Sequence, residues 1–394
     1  MPRKCSPSFM ESYLEYTRYQ ESPARFHSWT SLYAISSAVK RNVYIDKFYY
    51  RLYPNLYIAL VGPSAAVKKT TAADIAAGLI ETLPKILFLK GKVTAWEFFH
   101  ELGNATKIGD AAASIYSPEA KNLFGDLGKI ELVTMLTDLY GSPSSFTYRT
   151  LKHGTINIKN VCINLMICST PEWLITGTTT DEIAGGWTGR FVYIFEETCD
   201  RSIAFPEDFI TPELQQVKQD LIEDLLDISQ ASGEFVITPQ AKAEYLIWYN
   251  SRKSEWKDER LMGYYGRKAD LVWKIAMLIS LSRDNSLVIN EEILAYAWGM
   301  LKDIEGSMGK ALAHVIDDPA LRYKDSVVSY IVNQPGHRAT RVAILKKFWN
   351  RFDSDMLDRI IRNALECRTI KQYSVHQGKT SDIMYEINED PINP

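Results

Sequence analysis

Residues 62–71 combine lysines, threonines and a leading glycine in a spacing that suits phosphate binding. The run Gly-Pro-Ser-Ala-Ala-Val-Lys-Lys-Thr-Thr follows a continuous apolar segment at 56–61 and leads into a helical pattern at 70–83. In a strand–loop–helix of this kind, backbone amides and the helix N-terminus bind phosphate oxygens, a lysine reaches the β- and γ-phosphates, and a threonine coordinates Mg²⁺. The sequence therefore predicts a site for ATP and Mg²⁺ at this loop.

The loop meets the pattern G-x-x-x-x-G-K-[ST] only in part, and two registers stay open. In one register Lys68 is the phosphate lysine, Val67 stands in place of a glycine, and Lys69 replaces the Mg²⁺ ligand. In the other the loop is one residue longer, Lys69 binds phosphate and Thr70 coordinates Mg²⁺. We favour the second register because it keeps both chemical roles. The predicted nucleotide-binding residues of the loop are Gly62, Lys68, Lys69, Thr70 and Thr71.

The loop is also poor in glycine. Ala65, Ala66 and the β-branched Val67 disfavour the positive φ angles that let a backbone approach phosphate closely. A plain strand–turn–helix without nucleotide is therefore the alternative that spacing alone allows.

Apolar runs that alternate with helical segments must position this loop. A continuous apolar run is typical of a strand buried on both faces, and Thr94 with Glu97 predicts a capping box at the start of a helix. Further runs of this kind lie at 86–89, 111–116, 161–168 and 191–195. Strands that alternate with helices predict a parallel sheet sandwiched between helices, and so an α/β fold.

The rest of the chain has other patterns. Residues 9–45 have helical spacing. Strands are expected to stop after residue 200. Four helices are predicted there, at 211–230, 240–258, 268–283 and 290–308, and Asn290 is expected to cap the last of them. Residues 320–388 predict three helices and a two-stranded hairpin, the order of a winged helix. The predicted regions are an N-terminal helical segment (1–54), a P-loop ATPase core (55–200), a helical lid region (201–318) and a winged-helix DNA-binding module (319–394).

Composition narrows the class of protein. With 46% apolar and 24% charged residues, the chain has the composition of a globular protein. Its longest apolar stretch, 271–281, contains Lys274 and is too short to span a bilayer, so we expect no contact with a membrane. No signal peptide is expected, and five scattered cysteines without a C-x-x-C pair predict reduced thiols in a cytoplasm-like compartment.

The net charge of −3 is unevenly distributed along the chain, because both ends are basic. Residues 1–57 carry eight Lys/Arg against four acids, and residues 320–386 carry twelve against seven. This distribution predicts DNA contact at local patches, although solvated basic faces share the same composition.

The order of motifs resembles the helicase-like P-loop ATPases of phages and mobile elements, which are often fused to primase–polymerase domains and are distantly related to superfamily 3 and AAA+ helicases. The similarity runs over most of the chain. Besides the phosphate loop, the similar motifs are ESPARFHSW at 21–29, LYPNLY at 52–57, LTDLY at 136–140, STPEWL at 169–174, GGWTGR at 185–190 and GRKAD at 266–270. The resemblance implies a P-loop (AAA+-like) core that uses ATP and Mg²⁺.

The resemblance also implies roles for residues outside the loop. Glu119 matches the Walker B carboxylate that polarises the attacking water. Thr170 resembles a polar sensor, Arg190 an arginine finger that reaches a neighbour's γ-phosphate, and Arg267 a second sensor. Thr170 has an alternative role as a helix cap before Pro171, and Arg190 has one as a local salt-bridge partner.

Two departures from the family pattern predict weak hydrolysis. The family's loop resembles G-P-S-G-x-G-[RK]-K-[ST]-T, which supports the register with Lys69 and Thr70. Ala65 and Val67 occupy two of its glycine positions. Pro118 stands where the Walker B residue that helps to hold Mg²⁺ is expected.

Two groups of residues are predicted to contact DNA. Residues 146–150 and 155–159 alternate like a hairpin, with Lys152 and His153 at its tip. In superfamily 3 helicases a basic hairpin tip at this place grips single-stranded DNA, and a solvated turn is the alternative. In the predicted winged helix, the expected phosphate contacts are Arg338, Arg341, Lys346, Lys347 and Lys379.

Two functions follow as hypotheses. The first is a homo-oligomeric ring that hydrolyses ATP between subunits and translocates on or unwinds DNA, with single-stranded DNA as its track and a primase or polymerase as a partner in trans. It would serve the replication of a phage or mobile element in a prokaryotic cytoplasm. The alternative is a replication initiator or loader that has lost hydrolysis and binds DNA through its basic ends and winged helix. A nuclease or polymerase lacks support, because the sequence has no acidic cluster with metal-ligand spacing outside the nucleotide site.

Overall fold

The computed structural model describes the chain except for residues 1–2, 124–128, 152–153, 172, 175–185, 200, 257, 259–260, 313–318, 350, 378–379 and 389–394. The chain divides into two compact units, Met1–Ala313 and His314–Pro394. None of the described helices has the length and apolarity needed to cross a bilayer.

The first unit contains ten described α-helices and twelve described strands. Its helices are α1 Phe9–Tyr16, α2 Ala24–Val39, α3 Lys69–Ile80, α4 Ala95–Ile108, α5 Ala120–Leu123, α6 Lys129–Leu139, α7 Pro212–Gln230, α8 Pro239–Ser251, α9 Met262–Arg283 and α10 Glu291–Leu312. Its strands are β1 Val43–Asp46, β2 Arg51–Leu52, β3 Tyr57–Val61, β4 Leu87–Lys90, β5 Ala112–Ser117, β6 Ser145–Thr150, β7 Gly154–Lys159, β8 Cys162–Ser169, β9 Phe191–Phe195, β10 Gly233–Glu234, β11 Val236–Ile237 and β12 Val288–Ile289.

A five-stranded parallel sheet in the order β4-β5-β8-β3-β9 forms the core of this unit. Every residue of β3, β8 and β9 is buried, as continuous apolar runs require when helices cover both faces of a sheet. Tyr33, on the buried helix α2, donates a hydrogen bond from its hydroxyl to the carbonyl of Ile115, 2.8 Å away. The predicted parallel sheet flanked by helices is confirmed.

Thr94 and Asn290 cap the helices that the sequence predicts they begin, and of the two bonds of the predicted capping box the described residues show the one to Thr94. The Thr94 hydroxyl accepts a hydrogen bond from the amide of Glu97 at the start of α4, and Asn290 Oδ1 accepts one from the amide of Ile293 at the start of α10. Each cap satisfies an amide that has no partner within its helix.

Two predictions about secondary structure are wrong. Residues 9–45 do not form a continuous helical segment, because Pro23 precedes a new helix and Lys40, at φ +54°, ends it before strand β1. Strands also do not stop after residue 200. The two-residue strand β10 pairs with β1, and β11 pairs with β12. Strands this short have too few residues to give a detectable alternation, so only their pairing partners define them.

The second unit contains three described helices and a three-stranded antiparallel sheet. Its elements are α11 Pro319–Val332, β13 Arg338–Thr340, α12 Arg341–Phe348, α13 Ser354–Glu366, β14 Ile370–Gln377 and β15 Thr380–Ile387. The sheet order is β13-β15-β14. Buried side chains from all three helices and from the sheet, such as Ile331, Ile344, Ile360 and Tyr385, give this unit a hydrophobic core of its own. The sequence predicts the three helices and the hairpin, but not the short strand β13.

Candidate nucleotide site

The predicted phosphate loop connects β3 to α3, and its first residue has room only for glycine. The amide of Gly62 donates to the carbonyl of Ser169 on the neighbouring strand β8, 3.3 Å away. A Cβ at position 62 would lie 2.4 Å from the carbonyl oxygen of Glu196 and 2.7 Å from Cγ2 of Val67. The backbone of Gly62 therefore packs directly against the ends of β8 and β9.

The structure shows how the loop forms with few glycines. Ala65 and Lys68 take the left-handed conformation, with φ of +61° and +46°. A side chain in this region costs about 1–2 kcal/mol. Val67 is not in that region, and its side chain fills a fully buried position under the loop. Of the two departures from glycine, therefore, the one at position 65 introduces backbone strain and the one at position 67 supplies packing.

The two adjacent lysines point in different directions. The ammonium of Lys69, which is 8% exposed, donates to the carbonyls of Gly62 (2.7 Å) and Pro63 (2.8 Å), so it lies inside the loop. The half-exposed Lys68 side chain instead has its ammonium 3.6 Å from a carboxylate oxygen of Glu21. Helix α3 begins at Lys69, which places Thr70 and Thr71 in its first turn.

A cleft of about 460 Å³ opens at the carboxyl edge of the sheet, beside the loop. It is a suitable size for a small ligand. Strand β8 lies between β3 and β5, so the residues that follow these three strands meet at one edge of the sheet. The cleft is lined by Ser64, Ala65, Lys68, Lys69, Thr70, Thr71, Pro118, Glu119, Ala120, Lys121, Cys168, Ser169, Thr170 and Trp173.

Glu119 and Thr170 enter this cleft from the ends of β5 and β8. Glu119 is exposed, and its carbonyl accepts a hydrogen bond from the Ser117 hydroxyl, 2.7 Å away. The Thr170 hydroxyl accepts a hydrogen bond from the amide of Trp173 at 3.3 Å. Thr170 thus caps the turn that follows it while also lining the cleft.

Some polar or aromatic residues that line the cleft, among them Lys121, Ser64 and Trp173, were not predicted as site residues. Lys121 lies two residues after Glu119 and adds a third lysine to the lining, beside Lys68 and Lys69. Ser64 and Trp173 come from the phosphate loop and from the segment after β8. Their positions inside two already recognised motifs were the signal that would have identified them.

Arg190 and Arg267 lie together at the opposite edge of the sheet. Arg190 immediately precedes β9, whose first and last residues pair with Tyr57 and Val61 of β3. Four residue intervals of strand separate the two edges by about 13 Å. Neither arginine is among the described residues that line the cleft, and the role of Arg267 as a second sensor stays a prediction.

The two guanidinium groups converge on the backbone of Gly186. Arg190 donates to the carbonyl of Gly186 at 2.6 Å, and a Cβ on Gly186 would lie 3.3 Å from Arg190 Nη1 and 3.1 Å from Arg267 Nη2. Burial and the neighbouring charge of Arg267 lower the pKa of Arg190. This edge of the chain therefore concentrates positive charge with no described acidic side chain hydrogen-bonded to Arg190.

The predicted DNA contacts have mixed outcomes. The hairpin β6–β7 is confirmed, and its register brings Thr150 opposite Gly154. Lys152 and His153, at its tip, lie outside the described residues, as does Lys379 between β14 and β15.

In the second unit, Arg338, Lys346 and Lys347 are exposed. Arg341 is less available, because its guanidinium donates to Asp358 at 2.6 Å and to Ser354 at 2.9 Å. Trp349, which the sequence analysis did not single out, follows the two lysines and is 79% exposed.

Comparison with known proteins does not assign the chain to a family. A scan against protein-family models finds no match, and a search of curated proteins finds no significant similarity. Function is therefore inferred from the cleft and from the surfaces around it.

Proposed function

We propose that the protein is an ATP-dependent DNA translocase with helicase-like activity, acting in the replication of a phage or mobile element. The observation that carries this proposal is the position of Lys69. Its buried ammonium lies against two carbonyls of the phosphate loop, in a cleft that Glu119 and Thr170 also line. A lysine held in this way is placed to exchange carbonyl oxygens for phosphate oxygens when a nucleotide enters.

The residues of the cleft fit Mg²⁺ and ATP. Mg²⁺ takes one or two protein oxygens and completes its shell with phosphate oxygens and water. The Thr70 hydroxyl supplies an oxygen of this kind beside the phosphate loop. Bound Mg²⁺ would offset the negative charge of the phosphates. Thr70 would coordinate the ion, Glu119 would orient the attacking water, and Lys69 would bind the β- and γ-phosphates.

Arg190 supports hydrolysis between subunits. Because it lies at the edge of the sheet opposite its own cleft, it is suited to act on a nucleotide bound by a second copy of the chain. Arg267, beside it, would reinforce the same positive surface. Alternating clefts and arginines around a closed ring would repeat this contact at every interface.

The second unit supports contact with DNA. Its three helices and antiparallel sheet follow the order of a winged helix, with Lys346 and Lys347 on its second helix. We propose that these lysines, Arg338 and Lys379 contact phosphates, with a smaller part for the ion-paired Arg341. The proposal also keeps the tip residues Lys152 and His153 as a grip on single-stranded DNA, and a primase or polymerase as a partner in trans.

A hydrolysis-deficient initiator or loader is the second candidate. It is favoured by Pro118, which cannot hold Mg²⁺, and by the strained φ of Ala65 within the loop. Such a protein would use its DNA-binding surfaces without turnover.

The two candidates are separated by ATP turnover measured with and without single-stranded DNA. The motor predicts Mg²⁺-dependent turnover that rises when DNA is added. ATP binding without turnover, with DNA binding intact, would instead favour the initiator.

A further inference from the structure

The hairpin formed by β1 and β2 carries exposed aromatic side chains at its tip. Asp46 pairs with Arg51, and the turn between them contains Phe48 and Tyr49, which are 89% and 90% exposed. Isolated exposed aromatics are common on protein surfaces. Here two fully exposed rings lie side by side, and a third ring, that of Tyr50, is half exposed. An apolar patch of this kind is typical of a binding surface.

The turn holds these rings outward in a defined conformation. The Lys47 amide donates to the carbonyl of Tyr50 at 2.9 Å, and the Phe48 amide donates to Asp46 Oδ1 at 2.7 Å. The Tyr50 hydroxyl donates to Asp270 of α9 at 3.2 Å, which anchors the turn to the body of the unit. A preorganised tip loses little conformational entropy when a partner binds.

A cleft of about 570 Å³ lies beside the hairpin, and two tyrosine rings with arginines over their faces form one of its walls. The guanidinium carbon of Arg51 lies 4.3 Å from the ring centre of Tyr44, and that of Arg41 lies 4.0 Å from the ring centre of Tyr53. The two tyrosine rings are 6.2 Å apart. The wall therefore runs Arg51, Tyr44, Tyr53 and Arg41, with the two rings tilted by 58°, and such a set of aromatic and guanidinium groups is suited to flat aromatic ligands.

The charge around the tip identifies the kind of partner. Residues 40–54 carry four Lys/Arg, against Asp46 in the hairpin, Asp270 bonded to Tyr50 and Asp110 in the cleft, so a small positive excess remains and the partner is expected to be anionic. A surface that joins exposed rings to positive charge suits an unpaired nucleic acid strand, whose bases stack on aromatics while its phosphates meet cations. A duplex is a poor fit, because its bases are already stacked on one another.

We propose that the β1–β2 hairpin and the cleft beside it bind unpaired nucleotides of a single-stranded nucleic acid. Phe48 and Tyr49 stack on bases, and the half-exposed Arg51, whose Nε lies 3.5 Å from Asp46 Oδ2, contacts a phosphate with its terminal nitrogens. Self-association through the tip is less favourable, because two copies would bring like charges together and two side chains bury far less than the roughly 1,200 Å² of a stable interface. The inference does not depend on ATP hydrolysis, since it concerns a surface outside the nucleotide cleft.

The test uses the full chain without nucleotide and measures its affinity for fluorescent oligothymidylate by anisotropy. The double change Phe48→Ala and Tyr49→Ala is expected to weaken binding about tenfold or more. Phe48→Leu with Tyr49→Leu keeps an apolar tip without a stacking ring, so it should be impaired to the same extent. An oligouridylate of equal length distinguishes RNA from DNA, and a duplex of equal length should bind all three proteins equally.

The second measurement locates the contact. An oligonucleotide that carries a photoreactive 5-iodopyrimidine should cross-link to the tryptic peptide 48–51. Cross-links elsewhere with unchanged affinity would overturn the proposal. Full binding by the leucine variant would also overturn the proposal. So would variants whose affinity for the oligonucleotide is unchanged but whose sedimentation velocity, measured without oligonucleotide, differs from that of the parent protein. Either result would assign the tip to a protein contact. Because both side chains are exposed, thermal unfolding of the variants should match that of the parent protein. The test applies whether or not the protein hydrolyses ATP.

Discussion

Single residues decide how well the phosphate loop can hold a nucleotide. Ala65 carries the strain of the loop in a left-handed conformation that glycine adopts freely, whereas Ala66, next to it, does not have a positive φ. The same chemical change at these two positions should therefore have different effects.

Ala65→Gly is expected to tighten MgATP binding, because it relieves about 1 kcal/mol of backbone strain and lets the loop approach phosphate more closely. Ala66→Gly is the matched control and should leave binding unchanged or weaken it, since it adds only freedom to the unfolded chain. Calorimetric titration with MgATP and urea unfolding of both variants measure the two effects. Equal behaviour of the two variants would mean that the strain at position 65 has no consequence for the site.

A second residue, Lys274, links stability to pH. Its ammonium is buried, donates to the carbonyl and side-chain oxygens of Asn55, and lies 4.1 Å from the ring centre of Tyr140. Burial lowers the pKa of Lys274 to about 8. Between this value and the ordinary lysine pKa, the unfolded chain holds the proton that the folded chain has lost, so the contribution of Lys274 to stability rises with pH.

Lys274→Met removes this contribution. Relative to the variant, the parent protein should gain about 2 kcal/mol of unfolding free energy between pH 7 and pH 9.5. Urea unfolding of both proteins at the two pH values measures the difference, in which the titration of other groups cancels. A difference that stays constant with pH would show that Lys274 keeps its proton throughout this range.

At the scale of elements, burial on both faces explains which parts of the fold the sequence predicts. Strands β3, β8 and β9 are recognisable because helices cover both sides of the sheet and leave continuous apolar runs. Strands β1 and β10 are not, because their pairing joins residues 43–44 to 233–234, and such long-range partners leave no local pattern.

The order of strands in the sheet explains which part of the candidate site could be predicted. The family resemblance grouped Lys69, Glu119 and Thr170 in advance, and they meet because each follows a strand of one parallel sheet, whose carboxyl ends share an edge. The meeting of Arg190 with Arg267 could not be predicted, since it depends on how α9 packs against the turn before β9. There Gly189 and Gly263 are so close that a Cβ on Gly189 would lie 2.5 Å from Gly263.

Helix α12 is the element on which DNA binding by the second unit should depend. Lys346 and Lys347 are exposed on it, whereas Arg341 is held by Asp358. Lys346→Ala with Lys347→Ala should weaken DNA binding and reduce the slope of log affinity against log salt by about 2. Arg341→Ala should have a smaller effect, because its charge is already paired.

Anisotropy titrations over a range of salt concentrations measure both effects without nucleotide. An unchanged salt slope in the double lysine variant would assign this face of the second unit to a protein contact. A larger effect of Arg341→Ala would show that its ion pair with Asp358 opens on DNA.

At the scale of the whole molecule, the positions of cleft and arginine predict cooperation between copies. Arg190→Ala protein keeps its phosphate loop, and Lys69→Ala protein keeps its arginine. Each alone should be inactive, but in an equal mixture about a quarter of the interfaces pair an intact loop with an intact arginine. Turnover should therefore be partly restored on mixing.

The restoration should be accompanied by self-association, seen by light scattering with ATP and DNA present. Arg190→Lys keeps the charge without the forked geometry and should recover little activity. A protein that remains monomeric under all these conditions would contradict hydrolysis between subunits.

The central claim is that Lys69, and not its neighbour Lys68, holds the phosphates of ATP. The most direct test is DNA-stimulated ATP turnover and MgATP binding by Lys69→Ala and Lys68→Ala proteins, measured side by side. Lys69→Ala should lose both, because its ammonium lies within the loop, while Lys68→Ala should retain most of both, because its side chain faces Glu21. Greater damage from Lys68→Ala, or ATP binding that neither change affects, would contradict the account.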